Sequence, residues 1–209
     1  MNISYSSINI AMFILALLFS VGIHEAMHAF TAHWLGDTTA SDMGRLTLNP
    51  LKHLDLYTSI VLPIILILSH LPPFFAAKPV PFNPTRVKYG EYGAAMIGLA
   101  GPLTNLGLAC IAALIFRFTP VSGLASEFIQ TFAIVNVALF VFNMIPFPPL
   151  DGSRLLYAFA PESVQGIMQQ IEGGGFVTII IFMFIFLNTG LGDVILRIDN
   201  GVLRFLFGV

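Results

Sequence analysis

Long apolar runs, separated by short polar links, dominate the pattern of the chain. A helix that crosses a bilayer needs about 20 predominantly apolar residues. The pattern predicts four helices of this kind, over roughly residues 8–34, 92–116, 127–147 and 174–191. We therefore expect an all-α, multi-pass membrane protein in which residues 1–209 form a single membrane-embedded domain.

A fifth apolar run, roughly residues 56–76, is compatible with two paths. Pro63 and the pair Pro72-Pro73 interrupt this run, and proline removes a helical hydrogen bond. A broken backbone at membrane depth is tolerated where neighbouring protein shields it. The run can therefore cross the bilayer or dip in and return, and the expected number of transmembrane helices is four to five.

Three shorter segments have their own patterns. Arg45–Asn49 alternates polar and apolar residues with period two, which predicts a short strand near the site described below. Residues 78–88 contain three prolines, which favour a stiff, non-helical link. Residues 194–209 place three charged side chains among apolar ones, a pattern typical of a helix that lies at the membrane interface.

The composition supports a membrane environment. Of 209 residues, 56% are hydrophobic and 10% charged, and the mean hydropathy is +0.87. An average soluble domain is roughly a quarter charged, so we expect the lipid bilayer to be the solvent of much of this surface. The net charge of -2 provides no basic surface for nucleic acid. The single cysteine, Cys110, excludes a disulfide framework.

The sequence HEAMH, residues 24–28, places three ionisable side chains inside the first apolar run. On a helix, His24 and His28 are four residues apart and share a face, so both imidazoles can bind one zinc ion. Glu25 beside them fits the general base that removes a proton from a zinc-activated water. The competing interpretation is a pair of histidines whose ring nitrogens are satisfied by backbone carbonyls.

A catalytic zinc usually takes three protein ligands, so a third ligand is expected elsewhere. His33 projects to the opposite side of the helix from His24, His53 lies in a polar link, and His70 lies near two prolines. The better candidate is Asp151 in NMIPFPPLDGSR, because the prolines must break the preceding helix there. The alternative role for Asp151 is an ordinary helix cap.

The predicted helix at 92–116 has a face of small residues. Ala94, Gly98, Gly101 and Asn105 follow helical spacing. Small residues let helix backbones approach closely in lipid, so packing alone can explain the face. Asn105 can instead reach toward the site, where it is a candidate for binding a substrate.

The ordered set of motifs resembles the site-2 protease family of intramembrane zinc metalloproteases. The resemblance rests on HEAMH at 24–28, LTLNPLKHLD at 46–55, AKPVPFNP at 77–84, LAGPLTN at 99–105 and NMIPFPPLDG at 143–152. It covers most of the chain. Unlike larger family members, this chain has no room for a PDZ-like or CBS-like domain, so it resembles a compact form.

The resemblance implies a role for each matching residue. His24, His28 and Asp151 would bind one Zn²⁺ per chain, and Glu25 would be the general base. Asn143, eight residues before Asp151, would hold the substrate backbone or the developing oxyanion. The implied activity is hydrolysis of peptide bonds in or near transmembrane segments of protein or peptide substrates.

The implied zinc site constrains the membrane topology. Asp151 can meet His24 and His28 only if residues 56–76 return to the side from which they enter. In that arrangement six basic residues share the active-site side: Arg45, Lys52, Lys78, Arg86, Lys88 and Arg154. The other side holds Arg117, Arg197 and Arg204. By the positive-inside rule, we expect the active site of this cell-membrane protein to face the cytoplasm.

Two other functions are compatible with buried zinc ligands. A zinc carrier would explain the histidines and an aspartate at a broken helix, but not the adjacent glutamate; nor does the chain show an internal repeat of the kind common in transporters. A catalytically inactive scaffold would retain the fold without turnover. If the chain is a protease, the predicted strand Arg45–Asn49 is a candidate for pairing with an unwound substrate.

Overall fold

The computed structural model describes residues 7–55, 59, 61, 65, 68, 78 and 80–208. These residues contain a 3-10 helix at Pro50–His53 and eight α-helices. The α-helices are α1 (Ser7–Trp34), α2 (Thr39–Asp42), α3 (Glu91–Phe118), α4 (Gly123–Asn143), α5 (Gly152–Phe159), α6 (Glu162–Gly173), α7 (Phe176–Asn188) and α8 (Leu191–Phe207). The all-helical prediction is therefore confirmed within the described part of the chain.

Three of these helices, α1, α3 and α4, are long and apolar enough to cross a membrane. The predicted span 174–191 differs: α7 has 13 residues, or about 20 Å at 1.5 Å per residue, too short to cross a bilayer alone. It reaches the required length only together with α6, across a bend of 101°. The bend lies at the run of glycines 173–175. Gly175 has a φ of 54°, a backbone conformation that residues with a side chain rarely adopt.

The helix bundle buries small side chains and exposes large apolar ones. In α1, Ala16, Ala26 and Ala29 are fully buried, whereas Phe13 and Ile14 are exposed. The same pattern holds in α3. In water an exposed apolar surface of this kind would be costly; in lipid it is the expected outer surface, and small residues let the backbones pack closely.

Helices α1 and α3 run antiparallel. Lys88 N–H, just before α3, donates to Leu35 O, just after α1, at 2.9 Å. Further along the pair, Asn105 in the middle of α3 lies against Ser20 of α1. A four-residue connection, 119–122, then turns the chain into α4. As a result, the C-terminal half of α1, the start of α3 and the end of α4 lie at the same end of the bundle.

The predicted strand at Arg45–Asn49 is wrong. These residues are irregular, with a bend at Thr47, and their polar groups bond locally instead of to a neighbouring strand. Asn49 N–H donates to Thr47 Oγ1 at 3.1 Å, and Asn49 Oδ1 accepts from Leu51 N–H at 3.1 Å, which caps the 3-10 helix. Short polar side chains that bond to nearby backbone compete with a strand ladder, and period-two alternation does not reveal this.

The proline-rich link lies along the second half of α1 and contains no helix in its described residues, 78 and 80–88. Asn83 N–H donates to Asp37 Oδ2 at 2.6 Å, and Val80 N–H donates to Glu25 Oε2 at 3.2 Å. The apolar run 56–76, with its span or re-entrant path, lies outside the described residues except at a few isolated positions. At the C-terminus, the helix predicted over residues 194–209 is present as α8. Burial raises the pKa of Asp199 in this helix.

Asp37 holds the link to the end of α1, so we expect Asp37→Asn to lower the apparent melting temperature in detergent. The buried Asp37 carboxylate accepts hydrogen bonds from Thr39 N–H, Thr39 Oγ1 and Asn83 N–H, and an amide cannot accept at both positions. An unsatisfied buried donor costs about 1–3 kcal/mol. Asp42→Asn, at an exposed carboxylate in the same region, should cost less than about 0.5 kcal/mol.

The Asp37 effect should also depend on pH. Burial raises the pKa of Asp37, but the hydrogen bonds from Thr39 and Asn83 and the charge of Arg86 outweigh burial and lower that pKa below 3.8. A carboxylate with a lowered folded-state pKa stabilises the protein above its unfolded pKa, and this contribution is lost as the pH falls through the folded value. The wild-type advantage over Asp37→Asn should therefore shrink below about pH 4; a difference that is constant from pH 7 to 3 would contradict this assignment.

Candidate metal centre

Helix α1 presents two histidine side chains on one face. His24 and His28 are 5% and 7% exposed, and their Nε2 atoms lie 3.0 Å apart. Residues four apart in a helix point in nearly the same direction, which brings the two rings together. The predicted pairing of the HEAMH histidines is thus present in the structure.

Asp151 reaches the same point from the segment that follows the end of α4. Helix α4 ends at Asn143, and the chain turns so tightly that a Cβ on Gly152 would lie 2.4 Å from Met144 O. Asp151 occupies the N-cap position of α5, yet its side chain makes no capping hydrogen bond. Its Oδ2 instead lies 3.1 Å from His24 Nε2 and 3.3 Å from His28 Nε2.

Two hydrogen bonds fix which nitrogen of each histidine carries the proton. His28 Nδ1 lies 2.7 Å from Ile97 O, and a backbone carbonyl only accepts. His24 Nδ1 lies 2.5 Å from Asn105 Oδ1, also an acceptor. Both Nδ1 atoms therefore donate, and both Nε2 atoms present lone pairs toward each other and toward the Asp151 carboxylate.

With both imidazoles neutral, three electron-pair donors thus converge, which is the donor set of a cation site. Zinc binds nitrogen and carboxylate oxygen at about 2.0–2.2 Å, so the ligand atoms of a tetrahedral site lie about 3.3 Å apart. The separations here are 3.0, 3.1 and 3.3 Å. His24, His28 and Asp151 therefore fit one zinc ion, and they are the metal-binding group found in the described part of the chain.

The backbone of α3 closes one side of this group at Gly101. A Cβ on Gly101 would lie 2.5 Å from His28 Nε2 and 2.6 Å from His24 Nε2. Hydrogen is therefore the only side chain that leaves both nitrogen lone pairs accessible. The small face predicted for this helix serves the site as well as packing.

Glu25 and Asn143 line a cavity of about 340 Å³ that also contains the three converging side chains. Glu25 Oε2 accepts from Val80 N–H at 3.2 Å, and Asn143 Nδ2 donates to Leu139 O at 2.9 Å. Asn105 is fully buried behind His24 and is absent from the cavity lining. Its position favours support of His24 over contact with a substrate.

Sequence reasoning missed several groups around the cavity. Arg154 forms an ion pair with Glu172 and lies over the Phe82 ring, 5.4 Å from its centroid. These contacts join α5, α6 and the proline-rich link at the cavity. No local sequence pattern indicates contacts between residues so distant in sequence. The position of Arg154, three residues after Asp151, could have indicated that it lies near the cavity.

The other candidate ligands lie elsewhere. His33 is exposed on the opposite side of α1, as helical geometry predicts. His53 is buried, and its Nε2 lies 2.9 Å from Thr47 O. His70 lies outside the described residues.

We expect Gly101→Ala to abolish stoichiometric zinc binding, because the new methyl group would occupy the space between the two Nε2 atoms. Gly107→Ala is the matched control on the same helix, since a Cβ there meets no atom within 4 Å. Metal analysis of the two purified variants, with melting curves to confirm folding, is the measurement. Equal zinc content in both would show that the metal does not bind at these nitrogens.

Known proteins with similar sequences point to one family. The model of Peptidase family M50 matches residues 119–187, which include Asn143 and Asp151. "Putative zinc metalloprotease YwhC" of Bacillus subtilis is 35% identical over 192 residues, 88% of this chain and 83% of the relative. Rip2 of Mycolicibacterium smegmatis, with the same designation, is 29% identical over 184 residues, 83% of this chain and 68% of the relative.

A third relative with this designation comes from an archaeon. MJ0611 of Methanocaldococcus jannaschii is 34% identical over 159 residues, 73% of this chain and 74% of the relative. No solved structure matches the chain. The extent of the match to YwhC, together with the family-model match, shows that the chain belongs to peptidase family M50, the site-2 protease family.

Proposed function

We propose that this protein is an intramembrane zinc metalloprotease that hydrolyses peptide bonds in or near transmembrane segments of protein or peptide substrates. The observation that carries the proposal is the convergence of His24, His28 and Asp151, with Glu25 on the same cavity, inside a bundle of membrane-length helices. The designation of its relatives as zinc metalloproteases supports the same chemistry.

His24, His28 and Asp151 would hold one zinc ion. When bound there, zinc would lower the pKa of a coordinated water toward about 7 and polarise the scissile carbonyl. Glu25 accepts the proton of the attacking water and returns it to the leaving amine. Val80 N–H supports this role, because a hydrogen bond to Oε2 holds the carboxylate in place while Oε1 accepts the proton.

Asn143 completes the reaction site. Its Nδ2 donates to Leu139 O within α4, which directs Oδ1 toward a different partner. The side chain lines the cavity beside Asp151. We assign Asn143 to holding the backbone of an unwound substrate, which has lost its own helical hydrogen bonds and needs replacement partners.

The contact between Leu35 and Lys88 supports a re-entrant topology. If α1 and α3 both cross the membrane, this 2.9 Å hydrogen bond joins the two ends of the intervening segment on one face. A single crossing by residues 56–76 would put those ends on opposite faces. In this topology the six basic residues counted above lie on the active-site side. By the positive-inside rule, we expect the zinc site of this multi-pass protein to face the cytoplasm.

Glu25→Gln should retain zinc and lose about 10²–10⁴-fold in turnover, because glutamine cannot accept the proton. The measurement is cleavage of a model transmembrane peptide by the purified protein in liposomes, together with zinc analysis. Glu162→Gln, at an exposed position on α6, is the control and should cleave at the wild-type rate.

The same preparations separate the rival functions. A carrier would accumulate zinc in the liposomes in both the wild type and Glu25→Gln, without peptide cleavage. A scaffold would bind zinc and neither cleave nor transport. If Glu25→Gln cleaved the peptide at the wild-type rate, Glu25 would not be the general base.

Cysteine labelling should place Ser4 and Arg86 on opposite faces of the membrane. The test uses single-cysteine variants at these positions in a Cys110→Ala background, with a membrane-impermeant reagent applied to either side of sealed vesicles. Thr119→Cys, at the exposed end of α3, should label from the same side as Ser4→Cys. Labelling of Ser4→Cys and Arg86→Cys from one face would exclude the re-entrant topology.

A further inference from the structure

A chain of buried polar side chains leads away from His24, on the far side from the cavity. Asn105 Nδ2 donates to Asn136 Oδ1 at 2.8 Å, and Asn136 Nδ2 donates to Ser20 Oγ at 2.7 Å. Ser20, Asn105 and Asn136 are all 0% exposed. These three residues, from α1, α3 and α4, form what we call the asparagine relay.

The donor and acceptor order along the asparagine relay is fixed, because its first residue, Asn136, contacts a backbone carbonyl. Asn136 has one atom 2.8 Å from Phe132 O, and a carbonyl only accepts. That atom is therefore the amide nitrogen, and Asn136 must offer its oxygen to Asn105. Asn105 in turn must face Asn136 with its nitrogen, which also lies 3.4 Å from Ser20 O.

The orientation of the Asn105 amide determines which atom it offers to His24. With its nitrogen committed to Asn136, Asn105 presents Oδ1 to His24 Nδ1 at 2.5 Å. Only a protonated Nδ1 satisfies that contact, which leaves the lone pair on Nε2, next to Asp151. If the Asn105 amide were reversed, its N–H would favour a lone pair on Nδ1 and a proton on Nε2, the wrong tautomer for metal binding.

The two histidines of the site are thus set by different means. His28 donates directly to a backbone carbonyl, Ile97 O, which no side-chain substitution removes. His24 depends on an amide that has two possible orientations. The shorter of the two contacts that hold the Asn105 nitrogen is the 2.8 Å hydrogen bond to Asn136 Oδ1, against 3.4 Å to Ser20 O. Asn136, two hydrogen bonds away from the His24 ring, is therefore the main residue that selects between the two orientations.

We propose that Asn136 is a positioning residue for His24: it fixes the orientation of the Asn105 amide, and thereby the tautomer of the His24 ring that binds zinc. The inference rests on the proposed zinc site. Asn136 is fully buried and is absent from the cavity lining, so it touches neither the substrate nor the zinc ligand atoms. Its expected contribution is to metal affinity, where loss of an outer hydrogen-bond partner typically costs about 10–100-fold.

Asn136→Leu tests the proposal, since leucine fills a similar volume but leaves Asn105 free to reverse. We expect zinc affinity, measured by competition with a chelator on the purified full chain, to fall about 10–100-fold. Val137→Ala is the control for packing: Val137 is fully buried in the same helix but belongs to the apolar cluster with Ala109 and Ile195. It should lower the melting temperature and leave zinc affinity unchanged.

A second substitution distinguishes orientation from general damage to the bundle. Asn105→Asp offers an acceptor oxygen to His24 in either orientation of its side chain, so it no longer needs Asn136. Asn105→Asp combined with Asn136→Leu should therefore recover most of the zinc affinity lost in Asn136→Leu. If Asn136 acts only through packing, the added buried carboxylate should weaken the protein further, with no recovery.

The outcomes separate this proposal from the function on which it rests. A wild-type protein that binds no zinc would overturn the zinc site itself. A wild type that binds zinc and cleaves, beside an Asn136→Leu variant with unchanged affinity, would overturn the relay alone. If leucine prevents folding, Asn136→Ser replaces it: the serine hydroxyl can bond to Phe132 O but is too short to reach Asn105, so the same loss of affinity is expected.

Discussion

The close approach of α3 to α1 is the constraint on which the site depends. At Gly101 the α3 backbone lies so near the two histidine rings that even a methyl group would collide with both Nε2 atoms. That approach also brings Ile97 O and Asn105 within hydrogen-bond distance of the rings. In lipid, where apolar side chains gain little by leaving the solvent, helices associate through such small-residue contacts and interhelical hydrogen bonds. One packing arrangement therefore stabilises the bundle and orients the histidines.

Polar groups at this depth must be satisfied by protein, and this requirement explains the arrangement behind the site. Ser20, Asn105 and Asn136 are fully buried, and each finds its partner on another helix. An unpaired amide in such surroundings lowers the free energy of unfolding several times more than an unpaired amide at a surface does. In neutral histidines, the Nε2 lone pairs of His24 and His28 and Oδ2 of Asp151 face one another, and a bound cation would satisfy all three.

The sequence predicted the long helices and the histidine pair because both depend on local spacing or strong composition. Helices α1 and α3 end within about two residues of the predicted bounds, and His24 and His28 needed only helical periodicity. The predicted helix at 174–191 is shorter in the structure, at Phe176–Asn188, because it begins only after the glycines at 173–175 that turn the chain. The strand at 45–49 failed because alternation does not show that Thr47 and Asn49 bond to their own neighbours. Asn136 and Val80 gave no signal, since their roles arise only from packing between distant segments.

The site also separates rigid parts from adjustable ones. The groups assigned to zinc lie on or against packed helices and are held by buried hydrogen bonds, which keeps their spacing within a few tenths of an ångström of a tetrahedron. Glu25, one residue from His24, points toward the proline-rich link instead, where Val80 N–H donates to its Oε2 at 3.2 Å. A base that moves a proton between a water and a leaving amine has to serve two positions, and a carboxylate held at one oxygen can do so. Val80 fits that need better than a second carboxylate or a lysine would, because a backbone amide holds Oε2 without adding a charge beside the ligands.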